Sequence, residues 1–440
     1  MSLPARANAV AVVQRLRDAG FQALLAGGCV RDELLGRTPK DYDVATDAPA
    51  ASVLGLFAGS LPVGAQFGVV LVPSGADRVE VATFRRDGVY LDSRHPVTVT
   101  FGSAREDAAR RDFTINGMFL DPIEERVIDY VGGREDLARG IVRAIGDPAD
   151  RLDEDKLRML RAVRIAARLG FEIEARTWDT IRREAPLIDR IAWERIGEEI
   201  RMILCEGPAR RGFELLHASG LLAAIVPELL AMRGVAQTPI HHPEGDVWTH
   251  TLLVIEQLRA PTETLALGAL LHDVAKPSCA GRKSTAESER ITFYGHPERG
   301  AEMAVAICQR LKRSRAVWER VAYLVRNHLR LVSAPQMRRS TLTRFLREDG
   351  IDELLELARM DATASSGDLR YWEFCRAKLA SLSAEQMHPP ALVTGRDLIA
   401  IGLAPGPRFS EILQAVEEQQ LEGALADREA ALAWVRAHYA

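Results

Sequence analysis

Gly27-Gly28-Cys29-Val30-Arg31-Asp32 and, shortly after it, Asp41-Tyr42-Asp43-Val44 decide how the first third of this chain is read. Paired glycines after the apolar Leu24-Leu25-Ala26 let the backbone approach an anionic group closely, because no Cβ stands in the way. Gly28 and Arg31 are therefore candidate nucleotide contacts in a phosphate-sized loop. Pro39 breaks the chain ahead of Asp41-Tyr42-Asp43-Val44, which alternates as a half-buried strand does, so Asp41 and Asp43 are expected to project from one face. Two carboxylates on one strand can share a pair of Mg²⁺ ions, one activating an attacking hydroxyl and the other clamping a triphosphate. Each motif taken alone reads equally as a glycine turn and a solvated edge strand. In this spacing they imply nucleotidyl transfer.

Moving outward, Glu80 lies on an alternating strand whose Val79 and Val81 would face a core, and it could complete a carboxylate triad or be an ordinary surface glutamate. Residues 84–96 are polar and turn-rich with three arginines, as suits a loop closing over a triphosphate or a plain hairpin. In Glu106-Asp107-Ala108-Ala109-Arg110-Arg111-Asp112-Phe113-Thr114-Ile115-Asn116, Arg111 could grip phosphate oxygens as a fork, and Asp112 and Asn116 could read ribose hydroxyls. A solvated helix start explains the leading charges as well, but not Asn116 among apolar neighbours. Residues 151–164 are expected to open one helix with Asp155 and Arg158 on a shared face. Beyond an ion pair, such a couple can read a base: a carboxylate accepts from the exocyclic amine of cytosine or adenine while a guanidinium donates to the adjoining ring nitrogen. Arg158, Arg161, Arg164 and Arg168 also form a basic stripe, suited to phosphates or to solvent.

A chain of 440 residues exceeds one ordinary core, and two to four domains are expected. Its hydrophobic fraction of 47% is that of a soluble globular protein, it has no apolar run of membrane-spanning length and its start lacks the apolar core of a secretory signal, so a cytoplasmic protein with no membrane partner is expected. Cys29, Cys205, Cys279, Cys308 and Cys375 are scattered without paired spacing, against a disulfide framework or a zinc ribbon. With a net charge of −4, contact with a polyanion has to come from local patches. Short β-rich segments fill the first 145 or so residues; beyond Arg151 apolar residues recur at helical spacing, and the polar stretch 280–290 reads as an exposed loop.

Together these segments, from Gly27 to about Leu204 and including Glu194-Arg195-Ile196-Gly197-Glu198-Glu199-Ile200, resemble the class II tRNA nucleotidyltransferase and bacterial poly(A) polymerase superfamily. The resemblance implies an α+β fold: a polymerase-β-like head with a mixed or antiparallel sheet and helices at 1–145, an all-α neck at 146–215, a helical body at 216–390 and a tail at 391–440. It implies Mg²⁺ at Asp41 and Asp43, nucleotide sugar and phosphates at Arg111, Asp112 and Asn116, and the base at Asp155 and Arg158. The chain departs from the usual pattern at Gly117, where alanine is common, and at Leu152, where phenylalanine is frequent. Thr394-Gly395-Arg396-Asp397-Leu398 and Gly402-Leu403-Ala404-Pro405-Gly406-Pro407 look like the tRNA-gripping tail of CCA-adding enzymes, and 61–72 lack the arginine-rich signature of many poly(A) polymerases. The implied activity is CCA addition to tRNA from CTP and ATP; poly(A) synthesis is the near alternative.

His250, the His272-Asp273 pair, His296, His328 and Asp361 follow an order that resembles the HD phosphohydrolase superfamily. There a first histidine, the His-Asp pair and a late aspartate bind one divalent metal, with further histidines able to hold a second. Imidazole with carboxylate suits Mn²⁺, Fe²⁺, Ni²⁺ or Zn²⁺ better than Mg²⁺. A reading of another class follows: a metal-dependent phosphohydrolase with an RNA-binding head.

Overall fold

The computed structural model describes residues 3–64, 68–75, 77–87, 99–239, 242–284 and 289–439. The chain divides into two compact units, Met1–Pro227 and Glu228–Ala440. The first begins with α1 (Leu3–Asp18), β1 (Ala23–Ala26), α2 (Gly28–Leu34), β2 (Asp43–Thr46), α3 (Ala50–Leu56), β3 (Leu61–Gly64), β4 (Val69–Ser74), β5 (Asp77–Thr83), β6 (Arg85–Asp87), β7 (Val99–Phe101), α4 (Ala104–Ala109), β8 (Phe119–Asp121) and β9 (Arg126–Ile128). Seven strands form one mixed sheet in the order β3-β4-β5-β2-β1-β8-β9, in which β2 and β5 run parallel and the other pairs antiparallel. Among the antiparallel pairs, β4–β5 and β8–β9 join strands consecutive in the chain, whereas β1 reaches β2 through α2 and meets β8 from far along the chain, and the parallel pair requires the crossover through α3, β3 and β4. β1 is buried along its whole length because it is central. Leu24, Ala26, Ala45, Phe84 and Phe119 pack with Ala104 and Ala108 of α4 into one core.

The remainder of the first unit is helical apart from β10 (Ile141–Val142) paired with β11 (Glu172–Ile173): α5 (Gly133–Arg139), α6 (Pro148–Glu154), α7 (Arg158–Leu169), α8 (Ala175–Glu184), α9 (Trp193–Cys205) and α10 (Ala209–Ala218). The single helix expected over 151–164 is therefore two. α6 starts earlier, capped by Asp147 with Pro148 in its first turn, and the chain leaves helical geometry at Asp155 (φ −154°). The Asp155 carboxylate accepts the backbone N–H of Leu157 at 3.1 Å, a local bond that competes with helix continuation. α7 then buries Met159, Leu160, Ala162, Val163, Ile165, Ala166, Ala167 and Leu169, which leaves its arginines for the other face.

In the second unit, helices Val247–Glu256, Glu263–Leu271, His296–Arg310, Arg315–Asn327 and Ile351–Ala364 are the main elements ahead of residue 365. The expected loop at 280–290 is instead largely a hairpin, Gly281–Ser284 paired antiparallel with Glu289–Thr292; residues 285–288 lie outside the described set. Helices Gly395–Ala400, Arg408–Glu422 and Arg428–Tyr439 share a small core of Val393, Leu398, Ile412, Val416, Leu425, Ala431 and Val435. The cysteines are free, and no described helix is long and apolar enough to cross a membrane.

Gly133 lies where a Cβ would sit 2.2 Å from the carbonyl oxygen of Thr114, so α5 can approach the segment before β8 only without a side chain. Gly133→Ala is expected to destabilise by about 1–3 kcal/mol, seen as a fall of roughly 2–12 °C in the unfolding midpoint of a unit this size. An unchanged midpoint would mean that this contact is not tight in solution.

Candidate nucleotide cleft and candidate metal centre

Residues from α2, β2, α7 and α9, with the segments that follow β1 and α4, surround an open cleft of about 550 Å³ in the first unit. Its entrance is set by Gly27, which turns out of β1 at φ +78° and leaves room for Arg111: a Cβ there would lie 2.9 Å from Arg111 Nη1. Since β1 ends at Ala26, β2 finds a partner only from Asp43 onward, paired with Ala26. Asp41 and Tyr42 thus precede the strand that sequence placed them on. Tyr42 is nevertheless buried, with its hydroxyl donating to Glu33 at 2.8 Å, and Asp41 and Asp43 flank it on the exposed side.

Asp43 is the direct register partner of Glu80 on the parallel strand β5, while Val79 and Val81 are buried on the opposite face. Desolvation at the cleft floor, then the negative charges of Glu80 and Asp41, push the Asp43 carboxyl up to about 7. Glu80 is raised as well, by partial burial and by Asp41. Mutually repelling carboxylates of this kind are a donor set that fits a hard divalent cation.

Asp107, read from sequence as part of a solvated helix start, is 1% exposed. It accepts from Arg110 Nε (2.9 Å) and Nη2 (2.6 Å) through one oxygen and from Arg111 Nε (3.1 Å) and Nη2 (3.0 Å) through the other. Two guanidiniums that would repel are thereby fixed side by side at the cleft. Sequence offered no signal for this beyond an acid three and four residues ahead of the arginine pair.

Asp112 is buried and surrounded by donors: Arg161 Nε and Nη2 at 2.9 and 2.6 Å, the Phe113 backbone N–H at 2.7 Å and Asn116 Nδ2 at 3.1 Å. Asn116 in turn accepts from Arg31 Nη1 at 2.7 Å, Arg31 Nε donates to Asp32 at 2.8 Å, and Arg168 Nη2 reaches Asp32 at 3.3 Å. Arg161 and Arg168 both belong to α7, so the chain of bonds closes on itself. Arg31, named as a nucleotide contact, lines the cleft but is engaged in this ring. Asp155 and Arg158 line the cleft without pairing to each other. Asp155 takes a two-pronged bond from Arg195 of α9 (3.1 and 2.7 Å), and Arg158 donates to Glu154 (2.5 Å) and to the carbonyls of Arg151 (2.9 Å) and Arg110 (3.3 Å). Arg164 is held by Glu199 at 2.7 Å. Each member of the basic stripe therefore has an acidic partner. Residues 88–96 of the expected closing loop lie outside the described residues. At Gly117 an added Cβ would meet Val131 Cγ2 at 2.7 Å and Ile145 Cδ1 at 3.0 Å, so glycine matches the packing of this chain.

In the second unit the six residues named from sequence come together. His250 lies within one helix, His272 and His328 cap the ends of two others, His296 opens a fourth and Asp361 belongs to a fifth. His272, His296 and His328 each place Nδ1 at 2.7–2.8 Å from the carbonyl three residues earlier; a carbonyl only accepts, so each Nδ1 carries hydrogen and each Nε2 carries the lone pair. Those lone pairs converge: His272 Nε2 is 3.3 Å from His250 Nε2, and His296 Nε2 is 3.4 Å from His328 Nε2. Asp273 lies between the pairs, Oδ2 at 3.2 Å from His272 and Oδ1 at 3.5 Å from His296, and neither oxygen accepts a hydrogen bond among the described residues, although Lys276 Nζ stands 2.7 Å from Oδ2. Asp361 Oδ1 is 3.0 Å from His250 Nε2. Imidazole nitrogens gathered around a buried carboxylate whose only close lysine or arginine among the described residues is Lys276 fit a divalent cation of the imidazole-binding kind. Burial opposes protonation of His250, yet its bonds to Asp361 and Glu244 carry it up to about 9, so an ion would displace the proton its Nε2 then holds; burial and then the adjoining His272 ring take His328 down to about 4. His242 and Glu244, which extend this cluster, were not singled out from sequence because neither sits on a helical apolar face.

Residues 23–143 match the family described as Poly A polymerase head domain, 170–232 match a probable RNA and SrmB-binding site of polymerase A, and 247–365 match the HD domain. An A-adding tRNA nucleotidyltransferase of Deinococcus radiodurans is 34% identical, over 94% of this chain and 95% of its own. The multifunctional CCA protein of Nitrosococcus oceani is 33% identical, over 91% and 97%. Among solved structures, the Bacillus stearothermophilus CCA-adding enzyme in complex with CTP superposes with a TM-score of 0.74 at 27% identity, covering 99% of this chain and 97% of that one.

Burial opposes ionisation of Asp112, but Arg161 and the hydrogen bonds take its carboxyl from 3.8 down to about 2. A depressed carboxylate stabilises the fold above its unfolded value, and that contribution fades as pH falls from 3.8 through about 2. The stability gap between wild type and Asp112→Asn is expected to shrink by about 1–2 kcal/mol over that window, since Arg161 remains partly reachable by water. Denaturant titrations at a series of pH values measure it; a gap independent of pH would contradict the assigned ion pair.

Proposed function

The chain belongs to the class II family of CCA-adding tRNA nucleotidyltransferases and bacterial poly(A) polymerases, and from that premise we propose that it adds CCA to tRNA 3′ ends from CTP and ATP without a template. The observation that carries the reading is one cleft floored by Asp41 and Asp43 and walled by Arg111, Asn116, Asp155 and Arg158. Asp41, Asp43 and Glu80 are the residues to hold Mg²⁺, which supplies charge neutralisation at the triphosphate and at the attacking RNA 3′-hydroxyl. The 3′-hydroxyl attacks the α-phosphate in line, pyrophosphate leaves, and Arg110 and Arg111, kept parallel by Asp107, face the developing negative charge.

Ribose recognition falls to Asn116, whose amide keeps one N–H beyond the bond it gives Asp112. With its lone pairs engaged by the four donors around it, Asp112 contributes by placing Asn116 and Arg161. Asp155, fixed by Arg195, accepts from the base amine, and Arg158, fixed by Glu154, donates to the ring nitrogen. Cytosine and adenine share that amine-beside-acceptor edge. Uracil and guanine reverse it and would strand buried groups, a mismatch costing several kcal/mol. In this reading 1–145 is the catalytic head, 146–215 the neck that binds base and RNA, 216–390 the body bearing the HD centre, and 391–440 the tail that holds tRNA in a cytoplasmic enzyme. At the HD centre His250, His272, Asp273 and Asp361 would hold Mn²⁺, Fe²⁺, Ni²⁺ or Zn²⁺, with His296 and His328 for a second ion. Such an ion activates water toward a phosphoester.

The full-length likeness to an A-adding enzyme favours one second reading, addition of the terminal A alone. Sizing products on tRNA transcripts ending before C-C-A or after C-C separates the cases. Three nucleotides on the first transcript are expected; extension of only the C-C substrate would assign A-addition, and an open adenylate ladder poly(A) synthesis.

Asp43→Ala is expected to lose several kcal/mol of transition-state stabilisation, roughly 10³-fold or more in extension rate, with hydrolysis of a chromogenic phosphodiester by the HD centre untouched. His272→Ala should show the converse pattern with Mn²⁺ or Ni²⁺. Extension surviving in Asp43→Ala would sink the head assignment, and hydrolysis surviving in His272→Ala the assignment of the centre.

A further inference from the structure

The four central imidazoles of the HD centre are not held alike. His272, His296 and His328 give their Nδ1 hydrogens to the neutral carbonyls of Ala269, Phe293 and Val325. His250 gives its own to a carboxylate, Glu244 Oε1, at 2.7 Å, and the same oxygen lies 2.9 Å from His242 Nδ1. The Glu244 side chain is only 7% exposed, and its Oε2 is buried with no hydrogen-bond partner among the described residues.

A merely structural tie does not account for this arrangement. The loop bearing Glu244 is already closed by a bridge between Ala236 and Asp246, by the bond from Val247 N–H to the Val235 carbonyl and by that from Gly234 N–H to Asp246. A buried carboxylate with one oxygen unmatched adds cost to that closure, whereas behind a metal-binding imidazole it fixes ring and tautomer and strengthens electron donation from Nε2.

The consequence is a centre with two unequal halves. His250 and His272 face Asp273 Oδ2 and have Asp361 beside them; His296 and His328 face Asp273 Oδ1. Lys276, 2.7 Å from Oδ2, works against the first half, but that half has two carboxylates of its own, Asp361 and Glu244, against one ammonium. Resting on the metal-centre reading above, we propose that Glu244 is a positioning residue that makes the His250–His272 half the tight divalent-cation position and leaves the His296–His328 half the exchangeable one.

The test is calorimetric titration of chelator-stripped full-length protein with Ni²⁺, in excess Mg²⁺ to occupy the carboxylate cluster of the head. Wild type should show a tight and a weak step, and Glu244→Gln should weaken the tight step by about 10–100-fold while sparing the weak one. Glu244→Asp should fall between and decides the matter if the glutamine variant does not fold. Retained tRNA extension reports that the first unit is intact, and thermal unfolding of metal-free protein separates affinity from stability. An unchanged tight step, with or without a loss of metal-free stability, would overturn the proposal, as would weakening confined to the weak step. Wild type that binds no Ni²⁺ would instead sink the metal-centre reading itself.

Discussion

The ion pair between Asp112 and Arg161 is the constraint on which the first unit's cleft depends. Asp112 belongs to the segment leading into β8, Arg161 to α7, and the bonds at 2.6–2.9 Å fix one relative to the other. Removing one partner of such a pair strands a buried charge at a cost of about 3–5 kcal/mol, whereas replacing both by apolar groups is often neutral. Stability therefore does not explain why a pair is here. Position does: through Asn116, Arg31 and Asp32 the bonds run back to Arg168 on the same helix, so α7 is tied to the sheet side at two points two turns apart. Arg158 on that helix is thereby held at the same cleft as Asp43.

The same logic recurs at other charged side chains of the cleft. Arg111 has Asp107, Asp155 has Arg195, Arg158 has Glu154, Arg164 has Glu199. A long charged side chain left to itself loses rotamer freedom when a ligand binds; one already clamped has lost it on folding. The partners also keep the cleft from being a field of one sign. Its arginines are offset only in part, since Arg110 and Arg111 share Asp107 and Arg31 and Arg168 share Asp32.

Local pattern carried much of this and stopped at identifiable places. The alternation around Glu80 was legible because a strand's period is local, whereas the start of β2 at Asp43 is set by the end of its partner β1, and the register of Asp43 with Glu80 is a long-range feature no local pattern carries. The HD histidines were legible through order and spacing. What stayed hidden were partners distant in sequence or set in irregular backbone. Arg195 lies 40 residues from Asp155, and Glu244 sits in a turn with no periodicity to read. Asp107 was hidden for another reason: an acid ahead of two arginines looks solvated until the fold shows it buried. The break between α6 and α7 escaped because apolar spacing continues across it, and one side-chain bond from Asp155 outweighed that spacing.

The two cation-ready clusters are built on opposite principles, and this bears on how one chain can keep their metals apart. In the head, Asp41 and Asp43 line an open cleft with Glu80 in register beside Asp43, and burial with the neighbouring negative charges raises Glu80 and takes Asp43 to about 7. Such a set has high negative charge, hard oxygen donors and access to water, conditions that favour a readily exchanged, partly hydrated hard divalent cation. In the HD centre the donors are mostly neutral imidazoles, buried, and fixed in tautomer by carbonyls before any ion arrives. Little charge is gained there by a hard ion, and much by one that forms strong bonds to nitrogen. Discrimination then needs no gate or channel. It follows from which atoms each unit presents, and from how much water it leaves around them.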